Sequence, residues 1–126
     1  MGSQRPRPVV LDAGALIAFE RLDRRIVRLL ELAEEVHVPG AVVAQVWRNP
    51  ARQVRLVRLL AAEPVTLVPL DGIEARAVGQ LCAASGTSDV ADASVALLGR
   101  RTGGVVVTTD PDDLRRINPG LDVVVC

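Results

Sequence analysis

Six of the aspartates are placed where a carboxylate can do chemistry. Asp12 follows the apolar run Val9-Val10-Leu11, and Asp110 follows Val105-Val106-Val107-Thr108-Thr109. Each stands at the carboxyl end of a predicted buried strand, which is where open α/β sheets bind their ligands. Asp89 and Asp92 are three residues apart near a predicted helix start, so they share one helix face. Asp112 and Asp113 follow closely after Asp110. Structural duties compete for several of these residues. Asp89 and Asp110 can cap the helices they precede, and acids in a first turn suit the helix dipole. Asp92 is harder to assign to capping, because it sits inside the apolar stretch Val90 to Leu98, and a buried carboxylate needs a partner. If three or four of these groups converge, either their pKa values rise or a cation sits among them. Oxygen ligands without His or Cys select a hard ion, Mg²⁺ or Mn²⁺. Such an ion polarises a phosphoryl oxygen and acidifies water, which is phosphodiester hydrolysis without a protein nucleophile. Spacing alone leaves both outcomes open.

Other chemistries find little support. The single histidine, His37, lies in the apolar stretch Val36-His37-Val38, and there is no Gly-x-Ser-x-Gly elbow. One His and no Cys-x-x-Cys exclude an ordinary zinc site. Cys82 and Cys126 do not make a disulfide framework. Glycine fingerprints for nucleotides are absent. A phosphatase with an aspartyl nucleophile would show Asp-x-Asp after the first strand, where this chain reads Asp12-Ala13-Gly14.

The elements that must position the acids are legible in the hydropathy pattern. Short β-branched runs are predicted as strands at Val9–Leu11, Val36–Val38, Thr66–Val68, Val105–Val107 and Asp122–Val125. Helices are predicted over Ala13–Glu20, Arg24–Glu35, Ala41–Arg48, Arg52–Ala62, Gly72–Ala84, Asp89 to about Arg101 and Asp110–Ile117, with Pro39-Gly40 as a turn. Alternating strands and helices imply an α/β protein with a mostly parallel sheet covered on both faces. No linker or repeat divides residues 1–126, so one domain is expected. No apolar run approaches a membrane span, and the start MGSQRPRP has no secretory core, so a cytoplasmic setting is expected. Fifteen basic residues, all arginine, balance fifteen acidic ones. Trp47 and Phe19 are the only aromatics, which disfavours base stacking. Contacts to nucleic acid must then rest on local charge. Arg48, Arg52 and Arg55 share a helix face by spacing if Asn49-Pro50 does not kink it, and are the candidate RNA-phosphate contacts, with a merely solvated face as the alternative.

The segments "VVLDAGALIAFE", "VPGAVVAQVWR", "TSDVADASVALLG" and "VVVTTDPDDL", in this order, resemble the PIN-domain ribonucleases, and most of all the VapC-type toxins of bacterial type II toxin–antitoxin systems. The resemblance runs from Val9 to Val125. It implies a three-layer α/β/α sandwich and an acidic pocket that binds Mg²⁺ or Mn²⁺ for cleavage of RNA. By position, Asp12, Asp92 and Asp110 resemble the catalytic, metal-binding aspartates. Asp89 resembles a further metal ligand, Asp113 a supporting acid, and Thr108 the Thr/Ser that orients them. The resemblance also implies a homodimer and a VapB-like antitoxin whose C-terminal segment enters the acidic groove. The Val54–Leu60 helix is the candidate apolar surface for these contacts.

One position departs from the pattern. Gln45 stands where these toxins usually carry glutamate, which removes a negative charge from the pocket. Asp89 can compensate, and less readily Glu20, about two turns beyond Asp12. The leading expectation is an active ribonuclease toxin with Gln45 as a polar supporting residue. The alternative is a weakened or inactive PIN module that binds RNA or a protein.

Overall fold

A computed structural model describes residues 6–126. The first five residues, on which part of the expectation of no leader rests, lie outside the described residues. Five strands form one sheet in the order β3-β2-β1-β4-β5, where β1 is Val9–Leu11, β2 Val36–Pro39, β3 Val65–Val68, β4 Val105–Thr108 and β5 Val123–Val125. Every pairing is parallel, with Val9 opposite Val36 on one side and Val105 on the other. The expected α/β/α architecture is therefore present, and the sheet is wholly rather than mostly parallel. Its valine content follows from this. All three β1 residues are buried, and a parallel strand covered on both faces admits no polar alternation.

The helices are α1 (Ala13–Glu20), α2 (Arg24–Leu32), α3 (Gly40–Val46), α4 (Val54–Leu60), α5 (Gly72–Ser85), α6 (Val90–Thr102) and α7 (Pro111–Ile117). α1 packs with α2 and α4, α6 packs with α5 and α7, and α3 touches both α1 and α6. The side chains of Leu11, Leu16, Ile26, Leu56 and Leu114 fill the interior. Among the described residues, no helix is long and apolar enough to cross a membrane.

Several boundaries differ from the sequence reading, each for a local reason. α2 stops at Leu32 because Ala33 is already extended. Pro39-Gly40 is not a turn. Pro39 is the N-cap of α3 and Gly40 its first residue, packed so tightly that a Cβ would lie 3.2 Å from the Val68 carbonyl oxygen. The pair predicted as helices 41–48 and 52–62 is shorter, with seven residues in each of α3 and α4. Gln53 closes the gap between them: its Oε1 accepts from the N–H groups of Arg48 and Asn49 at 2.9 and 3.0 Å, and its Nε2 donates to Val46 O at 2.8 Å.

The α1–α2 junction contains a strained residue. Leu22 has φ of 59°, the left-handed conformation that glycine adopts without cost. The Leu22 and Asp23 N–H groups bond back to Phe19 O and Ala18 O, the Schellman pattern that usually places glycine at this position. With the Leu22 side chain largely exposed, Leu22→Gly is expected to stabilise the protein by about 0.5–1 kcal/mol. A chemical denaturation midpoint that falls in this variant would contradict that reading.

Candidate active site

The chain runs from β1 outward to β2 and β3, then crosses back to lay β4 on the other side of β1. The direction of winding reverses between β1 and β4, and such a switch point leaves a crevice beyond the carboxyl ends of those strands. Asp12 directly follows β1, and Asp110 follows β4 one residue later, after Thr109. Asp12 is buried and serves as N-cap of α1. Its Oδ1 accepts from the Ala15 N–H at 2.8 Å, and its Oδ2 accepts from the Thr108 hydroxyl. Thr108 Oγ1 in turn accepts from the Asp110 N–H at 2.9 Å. One hydroxyl at the end of β4 thus ties the two strand ends together. Gly14 keeps this corner open, since a Cβ there would lie 2.1 Å from Thr109 Oγ1.

Burial pushes the Asp12 carboxyl above its ordinary pKa, and the charge of Asp110 pushes it the same way. The hydrogen bonds from Thr108 and Ala15 oppose them without cancelling the effect. Asp110 holds the N-cap position of α7, yet its side chain makes no capping hydrogen bond. Its carboxyl instead neighbours Asp113, and that proximity raises the Asp113 pKa.

Asp89 and Asp92 complete the group. Asp89 caps α6, its Oδ1 accepting from the Asp92 N–H at 2.9 Å, while Thr87 Oγ1 accepts from the Asp89 N–H at 3.1 Å. Asp92 is half-buried, with a pKa pushed up to about 6, first by burial and then by the charges of Asp89, Asp113 and Asp12. The five aspartates therefore act on one another through a single negative field. Beside them lies a cavity of about 260 Å³ lined by Asp89, Asp92, Asp113, Thr87 and Arg116 among others.

The donor set, carboxylate and hydroxyl oxygens, suits a hard divalent cation in chemistry. The spacing is looser than the chemistry. Among the described residues, no group of three or more His, Cys, Asp or Glu side chains is gathered closely enough to hold a metal ion. An ion would have to draw the carboxylates together.

Other sequence candidates do not line this cavity. The Gln45 side chain is exposed on α3 and has no hydrogen-bond partner among the described residues. Glu20 does not serve the pocket. Its carboxylate accepts from the Leu56 N–H at 2.6 Å, supplying the cap that Gln53 does not give α4, and faces Arg55 at 4.0 Å. The expected arginine face is broken. Arg48 and Arg52 lie outside any helix, and only Arg55 stands on α4. Arg48 donates to the carbonyls of Ala44 and Trp47 at 2.9 and 2.7 Å, at the C-terminal end of α3. The condition attached to Asn49-Pro50 therefore decides the matter. Arg116 belongs to one of the arginine pairs, Arg100-Arg101 and Arg115-Arg116, that the sequence offers as further phosphate contacts, and it lines this cavity. Thr87 was not singled out, its one signal being proximity in sequence to Asp89.

The residues from 9 to 118 match the family model described as PIN domain. No curated protein sequence matches the chain. Among solved structures, the chain is similar to VapBC2 from Rickettsia felis bound to a DNA fragment from their promoter, with a TM-score of 0.70 at 16% identity, covering 94% of this chain and 98% of that one. It is also similar to the Mycobacterium tuberculosis toxin VapC20, described as cleaving the sarcin-ricin loop, with a TM-score of 0.67 at 15% identity, covering 90% and 95%. A third is VapBC-1 from nontypeable Haemophilus influenzae, with a TM-score of 0.62 at 17% identity, covering 93% and 96%. Identities this low speak for the fold, while the family model spans most of the sequence: the chain belongs to the PIN-domain family.

Proposed function

We propose that this chain is a single-domain, Mg²⁺- or Mn²⁺-dependent endoribonuclease, the toxin of a VapBC-type pair acting in the cytoplasm. The observation that carries the reading is the shared negative field of Asp12, Asp89, Asp92, Asp110 and Asp113 at the sheet's switch point, with Arg116, among the described residues, the one basic side chain lining the adjoining cavity. In this reading Asp12, Asp92 and Asp110 are catalytic and hold the metal, Asp89 is a further ligand, and Thr108, Asp113 and Gln45 support them. When bound, Mg²⁺ or Mn²⁺ supplies the positive charge that polarises a phosphoryl oxygen and acidifies water. The protein's part is placement. Asp12 is fixed from both oxygens before any ligand arrives, and Thr108 sets the distance between the β1 and β4 ends. Incubation of total RNA with the purified protein in Mg²⁺, Mn²⁺ or EDTA tests the reading. Cleavage confined to the metal-containing reactions supports it, and intact RNA in all three rejects it.

The partner part of the reading rests on the other face of the molecule. A groove of about 470 Å³ has a floor that includes Phe19, Leu22, Val27, Leu30 and Leu59, with Arg58 beside it. Its α4 wall is the helix singled out from sequence. A VapB-like antitoxin with an apolar helix and acidic flanks suits that lining, in keeping with the VapBC complexes among the similar structures. A homodimer belongs to the same reading.

The exposed Gln45 and the loose carboxylate spacing favour a second reading, a PIN module without catalysis. Calorimetric titration with Mn²⁺ separates the two, since a module of that kind shows no binding at millimolar metal. Gln45→Glu is expected to tighten Mn²⁺ binding about 3- to 10-fold by restoring a charge near the field. An unchanged affinity removes Gln45 from the site.

A further inference from the structure

The nuclease reading leaves an electrostatic problem. RNA brings a phosphate anion to a pocket already crowded with carboxylates, and Arg48, Arg52 and Arg55, the first candidates to hold it, do not line that pocket. Arg116 does. It lines the same cavity as Asp89, Asp92 and Asp113, and among the described residues it is the only basic one that does so. It is also weakly held. Its one ion pair among the described residues, to Asp113 one turn back on α7, is 3.4 Å long, and the side chain is 78% exposed. Such exposed pairs contribute little, so the guanidinium can leave Asp113 at small cost.

Arginines elsewhere on the described surface are more firmly engaged. Arg101 bonds both carboxylate oxygens of Glu74 at 2.7 Å, and Arg7 pairs with Asp122 at 2.6 Å. A phosphodiester offers Arg116 more than Asp113 does, because two non-bridging oxygens match the planar fork of a guanidinium. Thr87 adds a neutral donor in the same cavity. Its Oγ1 accepts from the Asp89 N–H, which leaves its hydroxyl proton for another oxygen.

We propose that Arg116, with the Thr87 hydroxyl beside it, is the substrate-binding residue that holds an RNA phosphate in the acidic cavity. The assignment rests on the nuclease reading for its role in catalysis, but its contact with RNA can be read without cleavage.

The probe is a fluorescein-labelled single-stranded RNA oligonucleotide. Anisotropy titrations in EDTA compare the parent protein with Arg116→Ala, Arg116→Lys and Arg55→Ala, each checked by thermal melting. Arg116→Ala is expected to weaken binding about tenfold and to lower the log–log salt slope by about 0.7, the loss of one phosphate contact on a single strand. Arg116→Lys should recover part of the affinity, since it keeps the charge and loses the fork. In cleavage assays the loss should fall in KM more than in kcat. Equal affinity and KM for parent and Arg116→Ala overturn the proposal, as does a parent that binds no RNA, or a loss seen in Arg55→Ala alone. If the parent binds RNA through Arg116 but cuts none with either metal, the proposal stands and the nuclease reading falls.

Discussion

Asp12→Asn is expected to lower metal-dependent RNA cleavage by at least about 100-fold while leaving the fold intact. The two halves of this expectation come from the same geometry. Asparagine is nearly isosteric with aspartate. Its carbonyl oxygen can replace one of the two acceptor positions that meet the Ala15 N–H and the Thr108 hydroxyl. Burial already disfavours the charge on Asp12, so removing that charge costs the fold little at neutral pH. What is lost is the only carboxylate fixed between the β1 and β4 ends. Asp12→Ala should behave differently. It strands a buried hydroxyl and an uncapped N–H, which costs about 1–3 kcal/mol and lowers the melting temperature by several degrees. Cleavage rates and melting curves of the two variants check both statements. An Asp12→Asn protein that cleaves as well as the parent would remove Asp12 from the catalytic set and leave the nuclease reading without its central residue.

The parts of the fold legible from sequence are those fixed by short-range pattern. Valine runs announce buried parallel strands, and the aspartates that end them fall where β1 and β4 stop. What sequence does not carry is long-range supply of hydrogen bonds. Nothing local says that Gln53 closes the α3 terminus through three bonds, or that Glu20 reaches 36 residues along the chain to cap α4. Leu22 is hidden for another reason. Its left-handed backbone belongs to glycine, and the helix-stop signals used elsewhere, at Gly86 and Gly103, are absent there.

The candidate site divides along the same line. Asp89 and Asp92 share a helix face by spacing, and Asp12 and Asp110 share a sheet edge by topology, so each pair can be anticipated separately. Their mutual field cannot, because it depends on how α6 sits against β1 and β4. Nor can sequence separate a capping aspartate from an idle one. Asp89 caps its helix through its carboxylate, whereas Asp110 occupies the cap position and spends its carboxyl on Asp113. A carboxyl withheld from the helix it precedes is available for other work, and only the structure distinguishes the two.

That shared field should make the metal-free protein less stable as pH rises, with Asp92 the main cause. In the unfolded chain Asp92 has the ordinary carboxylate pKa, whereas burial and the charges of Asp89, Asp113 and Asp12 raise it to about 6 in the fold. The fold therefore favours the protonated form. Its relative stabilisation is complete below about pH 4, falls as the unfolded chain ionises, and is gone once pH passes about 6. Because the group is half-exposed, solvent screening reduces the effect to about 1–2 kcal/mol, or roughly 3–8 °C in melting temperature. Asp92→Asn has no charge to lose. It is expected to melt above the parent by that margin at pH 7.5 in EDTA, and level with it near pH 4. Mg²⁺ or Mn²⁺ should raise the parent's melting temperature and narrow the gap at pH 7.5, because a bound cation relieves the repulsion that the substitution removes. The same variant should be inactive on RNA, so that a gain in stability and a loss of cleavage arise from one carboxylate. A variant that melts below its parent at pH 7.5 without metal would show that Asp92 is held by favourable contacts, and the account of a strained acidic pocket would be wrong.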